Sequence, residues 1–201
     1  MNAPEPSERQ LYLARHGETD WSRTGRHTGR TDVPLTDVGR DQAGSLAARV
    51  AGHTFALVLT SPLSRAAETA ELAGFGAVAI ADPDLQEWDY GELEGRRTDE
   101  IRAERPDWAI WDGPWPGAET IDEVAVRADR VIARVRAIDG DVLAFSHGHL
   151  LRILAARWLG LPPSMGRMFA LTTATLSVLG WERGTPVVER WNETCGLPAA
   201  R

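Results

Sequence analysis

The sequence predicts an α/β fold built on a mostly parallel sheet, and three observations carry that expectation. Short apolar runs, "LYLA", "ALVLT" and "DVLAFS", read as buried strands. Longer segments with apolar residues every three or four positions read as helices. The two kinds alternate along the chain, as in β-α-β units.

Taken in order, residues 1–8 are polar and read as a disordered tail, and residues 9–201 as one domain. The first strand covers residues 10–14. Residues 15–35 are rich in Gly, Thr, Arg and Asp and read as a long functional loop with room for a short helix. A helix follows over 37–51, with Thr36 as its N-cap. "ALVLT" at 56–60 is a strand. "SPLSRAAETAELA" opens the next helix, with Ser61 as N-cap and Pro62 as its first residue. "AVAI" at 77–80 reads as a strand. Residues 82–118 are irregular and rich in Trp, a lid-like insertion with a helix near 98–105. The clearest helix covers 119–138, where Ile121, Val124, Ala128, Val131, Val135 and Ile138 share one face. "DVLAFS" at 141–146 is a strand. The helix over 149–159 stops at Gly160 and Pro162-Pro163. The last two strands form a hairpin across Arg183-Gly184.

Composition narrows the function. The chain has 201 residues, is 43% hydrophobic and carries a net charge of −7. That balance speaks against a general nucleic-acid or anionic-membrane binder. All 22 basic residues are arginine. Without lysine there is no P-loop and no Schiff base. Cys195 is the only cysteine, so no internal disulfide forms. "MNAPEPSERQ" has no apolar core of a signal peptide, and no apolar run approaches the roughly 18 residues of a membrane span. A cytoplasmic location is expected.

Ligands of parallel α/β sheets bind outside the carboxyl ends of the strands. Here one strand releases Arg15-His16-Gly17, a second leads through Ser61-Pro62 to Arg65, and a third releases Ser146-His147-Gly148-His149. Two arginines and two histidines therefore converge on one crevice. Planar guanidinium forks suit the tetrahedral dianion of a phosphate monoester. A neutral imidazole can attack phosphorus.

"LARHGETDW", "TSPLSRAAETA" and "FSHGH", in that order and spacing, resemble the histidine phosphatase superfamily, the group that includes cofactor-dependent phosphoglycerate mutase. The resemblance runs from about residue 10 to residue 180. It implies a three-layer sandwich of the phosphoglycerate mutase-like kind. It implies His16 as the nucleophile that becomes phosphohistidine, with Arg15 and Arg65 clamping the phosphoryl oxygens. His147 would stabilise the same group in the transition state. Thr28, in "GRHTGRTDVPLT", would reach the phosphate, as would Ser22, which stands where many members carry Asn. Glu87, in "LQEWDYGELEG", would protonate the leaving oxygen and later activate water; Glu92 and Glu94 are close competitors in sequence. No metal or organic cofactor is implied, and a homodimer is left open. Such a mechanism needs a protonated Glu and a neutral His, the reverse of their ordinary pKa order of about 4.3 and 6.5. An acidic to neutral pH optimum is expected.

Within that resemblance the stretch after the acid segment is short and lacks the Lys of mutases, which favours the phosphatase branch. The substrate expected is a small phosphorylated metabolite, an acid- or sugar-phosphatase ester. The alternatives are a 2,3-bisphosphoglycerate-dependent phosphoglycerate mutase and a non-catalytic phospho-ligand binding module. His149 reads as a supporting or capping residue rather than half of a metal pair. His27 and His53 read as loop residues, Glu119 and Thr120 as helix-start residues, and the tryptophans between 108 and 115 as lid packing more than substrate wall.

Overall fold

The computed structural model describes residues 9–194. The predicted tail over 1–8 lies outside them, as does Cys195. Six strands form one sheet in the order β3-β2-β4-β1-β5-β6. They are β1 (Leu11–Arg15), β2 (Leu57–Thr60), β3 (Ile80–Ala81), β4 (Val142–Ser146), β5 (Leu176–Glu182) and β6 (Thr185–Glu193). β3, β2, β4 and β1 run parallel; β5 joins β1 antiparallel, and β6 joins β5 antiparallel.

Successive side chains of a strand point to opposite faces, and each face has its own core. Leu11, Leu13, Val142 and Ala144 pack with α5 (Ile121–Arg136) and α6 (Gly148–Trp158). Tyr12, Ala14, Leu143 and Phe145 pack with α2 (Asp37–Val50) and α3 (Ser64–Leu72). The result is the expected three layers. The remaining α-helices among the described residues are α1 (Asp20–Arg23) in the first long loop and α4 (Thr98–Glu104) in the second. No helix of the described residues is long and apolar enough to cross a membrane.

Several boundaries match the sequence reading. The Thr36 side chain accepts from the Gly39 amide at the start of α2. Thr120 caps α5 in a reciprocal pair with Glu123. Arg183 and Gly184 both take positive φ, as a two-residue hairpin turn requires.

Two boundaries differ. Ser61 does not cap α3, which starts at Ser64 with Leu63 in the cap position. Asp32 takes over that task from the distant loop, accepting from both the amide and the hydroxyl of Ser64. The predicted strand at 77–80 contracts to Ile80–Ala81, because the amides of Val78 and Ala79 turn back onto the Phe75 carbonyl.

The segment 82–118 builds core rather than standing clear of it. Leu85, Trp88, Tyr90, Leu93, Trp108 and Ile110 are buried in the cluster around α5 and α6. The Trp88 indole donates to the Glu119 carbonyl, and that of Trp115 to the Ile110 carbonyl.

Candidate active site

β1, β4 and β2 are neighbours, so their carboxyl ends open side by side. Arg15 stands in register with Ser146, and the His16 amide donates to the Ser146 carbonyl. The Ser61 amide donates to the Phe145 carbonyl. This stitching sets the His16 and His147 rings 5.2 Å apart. Gly17 follows His16 because nothing larger fits: a Cβ there would fall 2.2 Å from the Gly39 carbonyl oxygen at the start of α2.

His16 is buried, and its Nδ1 lies 2.7 Å from the Gly17 carbonyl oxygen. A carbonyl only accepts, so Nδ1 carries the proton and Nε2 keeps its lone pair. Burial, then Arg15 and Arg65, holds the His16 pKa well below its ordinary value. The ring is neutral at neutral pH.

His147 is fully buried beneath it. Its Nδ1 accepts from Arg65 Nε at 3.1 Å, which leaves Nε2–H to donate to the Ser61 hydroxyl at 2.8 Å. Burial, then Arg65, keeps this ring neutral too. Arg65 is itself 0% exposed and donates to the carbonyls of Thr31, Gly29 and Thr28. Arg65 and His147 therefore form the floor beneath His16 and tie down the Thr28–Thr31 loop, rather than lining the open pocket.

That pocket has a volume of about 240 Å³, and its walls include Arg15, His16, Ser22, Thr28 and Glu87. The Arg15 guanidinium lies against Gly148, where a Cβ would come within 3.3 Å of Cζ. Arg15 Nη1 donates to the Leu171 carbonyl, and Nε is buried without a partner among the described residues. A buried, unpaired guanidinium N–H calls for an anionic ligand.

Glu87 is only 4% exposed. Its Oε1 accepts from the Trp88 and Leu150 amides, and its Oε2 from the His149 amide. One lone-pair site, on Oε2, is left to carry a proton. The two competing carboxylates have other work. Glu94 accepts from the amides of Gly29, Arg30 and Thr31 and from the Thr31 hydroxyl, and Glu92 is exposed. Ser22 sits in the α1 cap, its hydroxyl donating to the Thr19 carbonyl and accepting from the Thr19 amide. Thr28 donates its hydroxyl to the Arg26 carbonyl from the pocket rim. Either hydroxyl must turn away from its present acceptor to donate to a ligand.

The walls also include Tyr90 and Arg152, which sequence reasoning did not place there, and His27 and His149, which it read as a loop residue and a supporting residue. Tyr90 hydroxyl lies 2.6 Å from His149 Nδ1. Burial, then Arg152, holds the His149 pKa well below its ordinary value, so the ring is neutral at neutral pH. His27 anchors its Nδ1 on the Arg96 carbonyl and stacks edge-on against Tyr90 and Trp108. Glu119 is more than a helix-start residue: it accepts twice from buried Arg127 and once from the Asp89 amide, fixing the strap that carries Glu87. Among the described residues no cluster of three or more His, Cys, Asp or Glu side chains could hold a metal.

A family model for the histidine phosphatase superfamily (branch 1) matches residues 11–194. The chain belongs to this superfamily. An acid phosphatase of Mycobacterium tuberculosis is 43% identical, over 87% of this chain and 88% of its own length. Sedoheptulose 1,7-bisphosphatase of Saccharomyces cerevisiae is 34% identical, over 76% of this chain and 68% of its own. A probable phosphoglycerate mutase, GpmB, of Photorhabdus laumondii is also 34% identical, over 93% and 92%. The solved structure of the product of open reading frame Rv3214 from Mycobacterium tuberculosis superimposes with a TM-score of 0.88 at 39% identity, covering 92% of this chain and 98% of that one.

Proposed function

We propose that this histidine phosphatase is a phosphoric monoester hydrolase that works without a metal, through a phosphohistidine on His16, on small phosphorylated metabolites. The observation that carries the reading is the pairing of a buried neutral imidazole, its Nε2 lone pair free, with the unpaired N–H of Arg15. The likeness to an acid phosphatase supports the same activity.

In the first step the His16 Nε2 lone pair forms a bond to phosphorus as the ester P–O bond breaks, and the Glu87 carboxyl gives its proton to the leaving oxygen. Arg15 holds the equatorial oxygens, Ser22 and Thr28 close the mouth, and the charge of Arg65 acts from the floor. His147 takes its part through the imidazole pair, since both its ring nitrogens are engaged, whereas Arg65 makes four internal bonds and keeps one Nη1 N–H outside them. In the second step water attacks phosphorus, Glu87 takes its proton, and inorganic phosphate leaves as the N–P bond breaks. The single cysteine supports a cytoplasmic setting.

The test is phosphate release from an aryl phosphate, with EDTA present, between pH 4 and 8. Wild type releases phosphate, and His16→Ala loses more than about 10³-fold in kcat. Activity that EDTA removes, or that survives in His16→Ala, overturns the mechanism. Phosphoryl exchange dependent on 2,3-bisphosphoglycerate, with no net release, assigns the mutase instead.

A further inference from the structure

Arg127 stands on α5 where an apolar residue is expected. It follows Val124 by three positions and precedes Val131 by four, both are buried, and Arg127 itself is 8% exposed. A buried guanidinium is costly unless its donors are satisfied. All five are. Nε donates to Glu119 Oε1 at 2.8 Å, and Nη2 donates to Glu119 Oε2 at 2.9 Å. Nη1 donates to the Asp84 and Gln86 carbonyls, both at 2.8 Å, and Nη2 also donates to the Glu87 carbonyl at 3.4 Å.

Those carbonyls give the arginine its purpose. Residues 86–90 form neither helix nor strand, yet Glu87, Trp88 and Tyr90 are buried. Buried backbone without a ladder must find its partners elsewhere. Arg127 takes the carbonyls of Asp84, Gln86 and Glu87, and the Ser146 hydroxyl takes that of Leu85. Glu119 secures the other end. Its Oε2 also accepts from the Asp89 amide, and its carbonyl accepts from the Trp88 indole. The Arg127–Glu119 pair therefore brackets Glu87 from Asp84 to Asp89.

The Glu87 carboxylate rests on a different element. It accepts from the amides of His149 and Leu150 in the first turn of α6. With the carboxylate on α6 and the backbone on α5, the direction of the remaining Oε2 lone pair depends on both. Proton transfer needs heavy atoms about 2.6–3.2 Å apart. A misplacement of about 1 Å, even from a distant change, can cost roughly 10²-fold in rate.

We infer that Arg127, clasped by Glu119, is the positioning residue of the general acid. It does not line the pocket, and it aims Glu87 through the main chain. This rests on the phosphatase reading with Glu87 as its acid, and it names the residue outside the pocket on which that acid depends.

The experiment compares kcat/KM of the full chain for two esters. The alkoxide of β-glycerol phosphate must be protonated as it leaves, whereas the leaving group of p-nitrophenyl phosphate departs without a proton. Arg127→Lys keeps the charge and loses the five-donor fork. In it the alkyl ester loses roughly tenfold to a hundredfold, and the aryl ester less than about threefold. Glu119→Gln opens the same clasp from the other side, shifts the ratio in the same direction, and keeps the test open should Arg127→Lys fold poorly. Arg130→Gln breaks an exposed pair between the same helix and Asp84, and leaves the ratio within about twofold. When Arg127→Lys is combined with Glu87→Gln, the alkyl ester falls no further than in Glu87→Gln alone, because the acid that Arg127 aims is gone. Three results overturn the positioning role while the phosphatase reading stands: equal losses for both esters in the Arg127 and Glu119 variants, losses that add to that of Glu87→Gln, or an equal shift of the ratio in Arg130→Gln. A wild type that releases no phosphate from p-nitrophenyl phosphate overturns the phosphatase reading, and the positioning role with it.

Discussion

Glu87, Glu92 and Glu94 lie within eight residues of one another, and nothing in their local sequence separates an acid from a tether. Position in the fold does. Glu87 faces the pocket, Glu94 binds the 29–31 loop, and Glu92 meets solvent. On the proposed mechanism, Glu87→Gln removes the proton given to the leaving oxygen, so kcat for an alkyl phosphate falls by about 10²–10⁴. The loss is smaller for p-nitrophenyl phosphate, whose leaving group departs without a proton. Glu92→Gln stays within about twofold for both. Equal losses in Glu87→Gln for the two esters would remove the general-acid role. Arg15 and His16 were legible from sequence because they end a strand together. Arg152 was not: in a chain where every basic residue is arginine, one more on a helix carries no signal, and only its place on the pocket wall marks it.

At the level of elements, the loops around the pocket are held by backbone-to-backbone fits and a few remote side chains. Gly17 and Gly39 let the loop after β1 and the start of α2 meet: a Cβ on Gly39 would lie 2.1 Å from the Glu18 carbonyl oxygen. Neither partner is a flexible side-chain end, so backbone must move. Gly39→Ala is expected to cost about 1–3 kcal/mol in urea unfolding and to raise KM, because the shift propagates to His16. An unchanged midpoint would show that the two segments separate freely. The Ser61-Pro62 pair shows why such fits escape sequence reading. It has the residue types of a helix start, yet Asp32, some thirty positions away, caps the helix at Ser64, and Ser61 turns to His147 instead. The strand-helix alternation and the three strand exits were readable from local pattern. The long-range tethers were not, because a remote cap leaves no periodicity.

Across the whole molecule, the desolvation that keeps the site histidines neutral sets a pH limit on the fold. His16, His27, His147 and His149 all have pKa values lowered by burial first of all, and in the unfolded chain each returns to about 6.5. Below that value the unfolded state binds protons that the folded state does not, so stability rises with pH in this window and is lost as pH falls. The slope is about 1.4 kcal/mol per pH unit for each histidine fully separated in this way. The urea midpoint should therefore drop from pH 7.5 to pH 5.5, and less steeply in His16→Asn, which removes one of the four. A midpoint that is flat over that range would mean that these rings protonate in place. Such protonation would also take the lone pair from His16, so the acid limb of kcat/KM would then sit near 6.5 rather than well below it. Measuring both profiles on one preparation ties the nucleophile's availability to the stability of the fold.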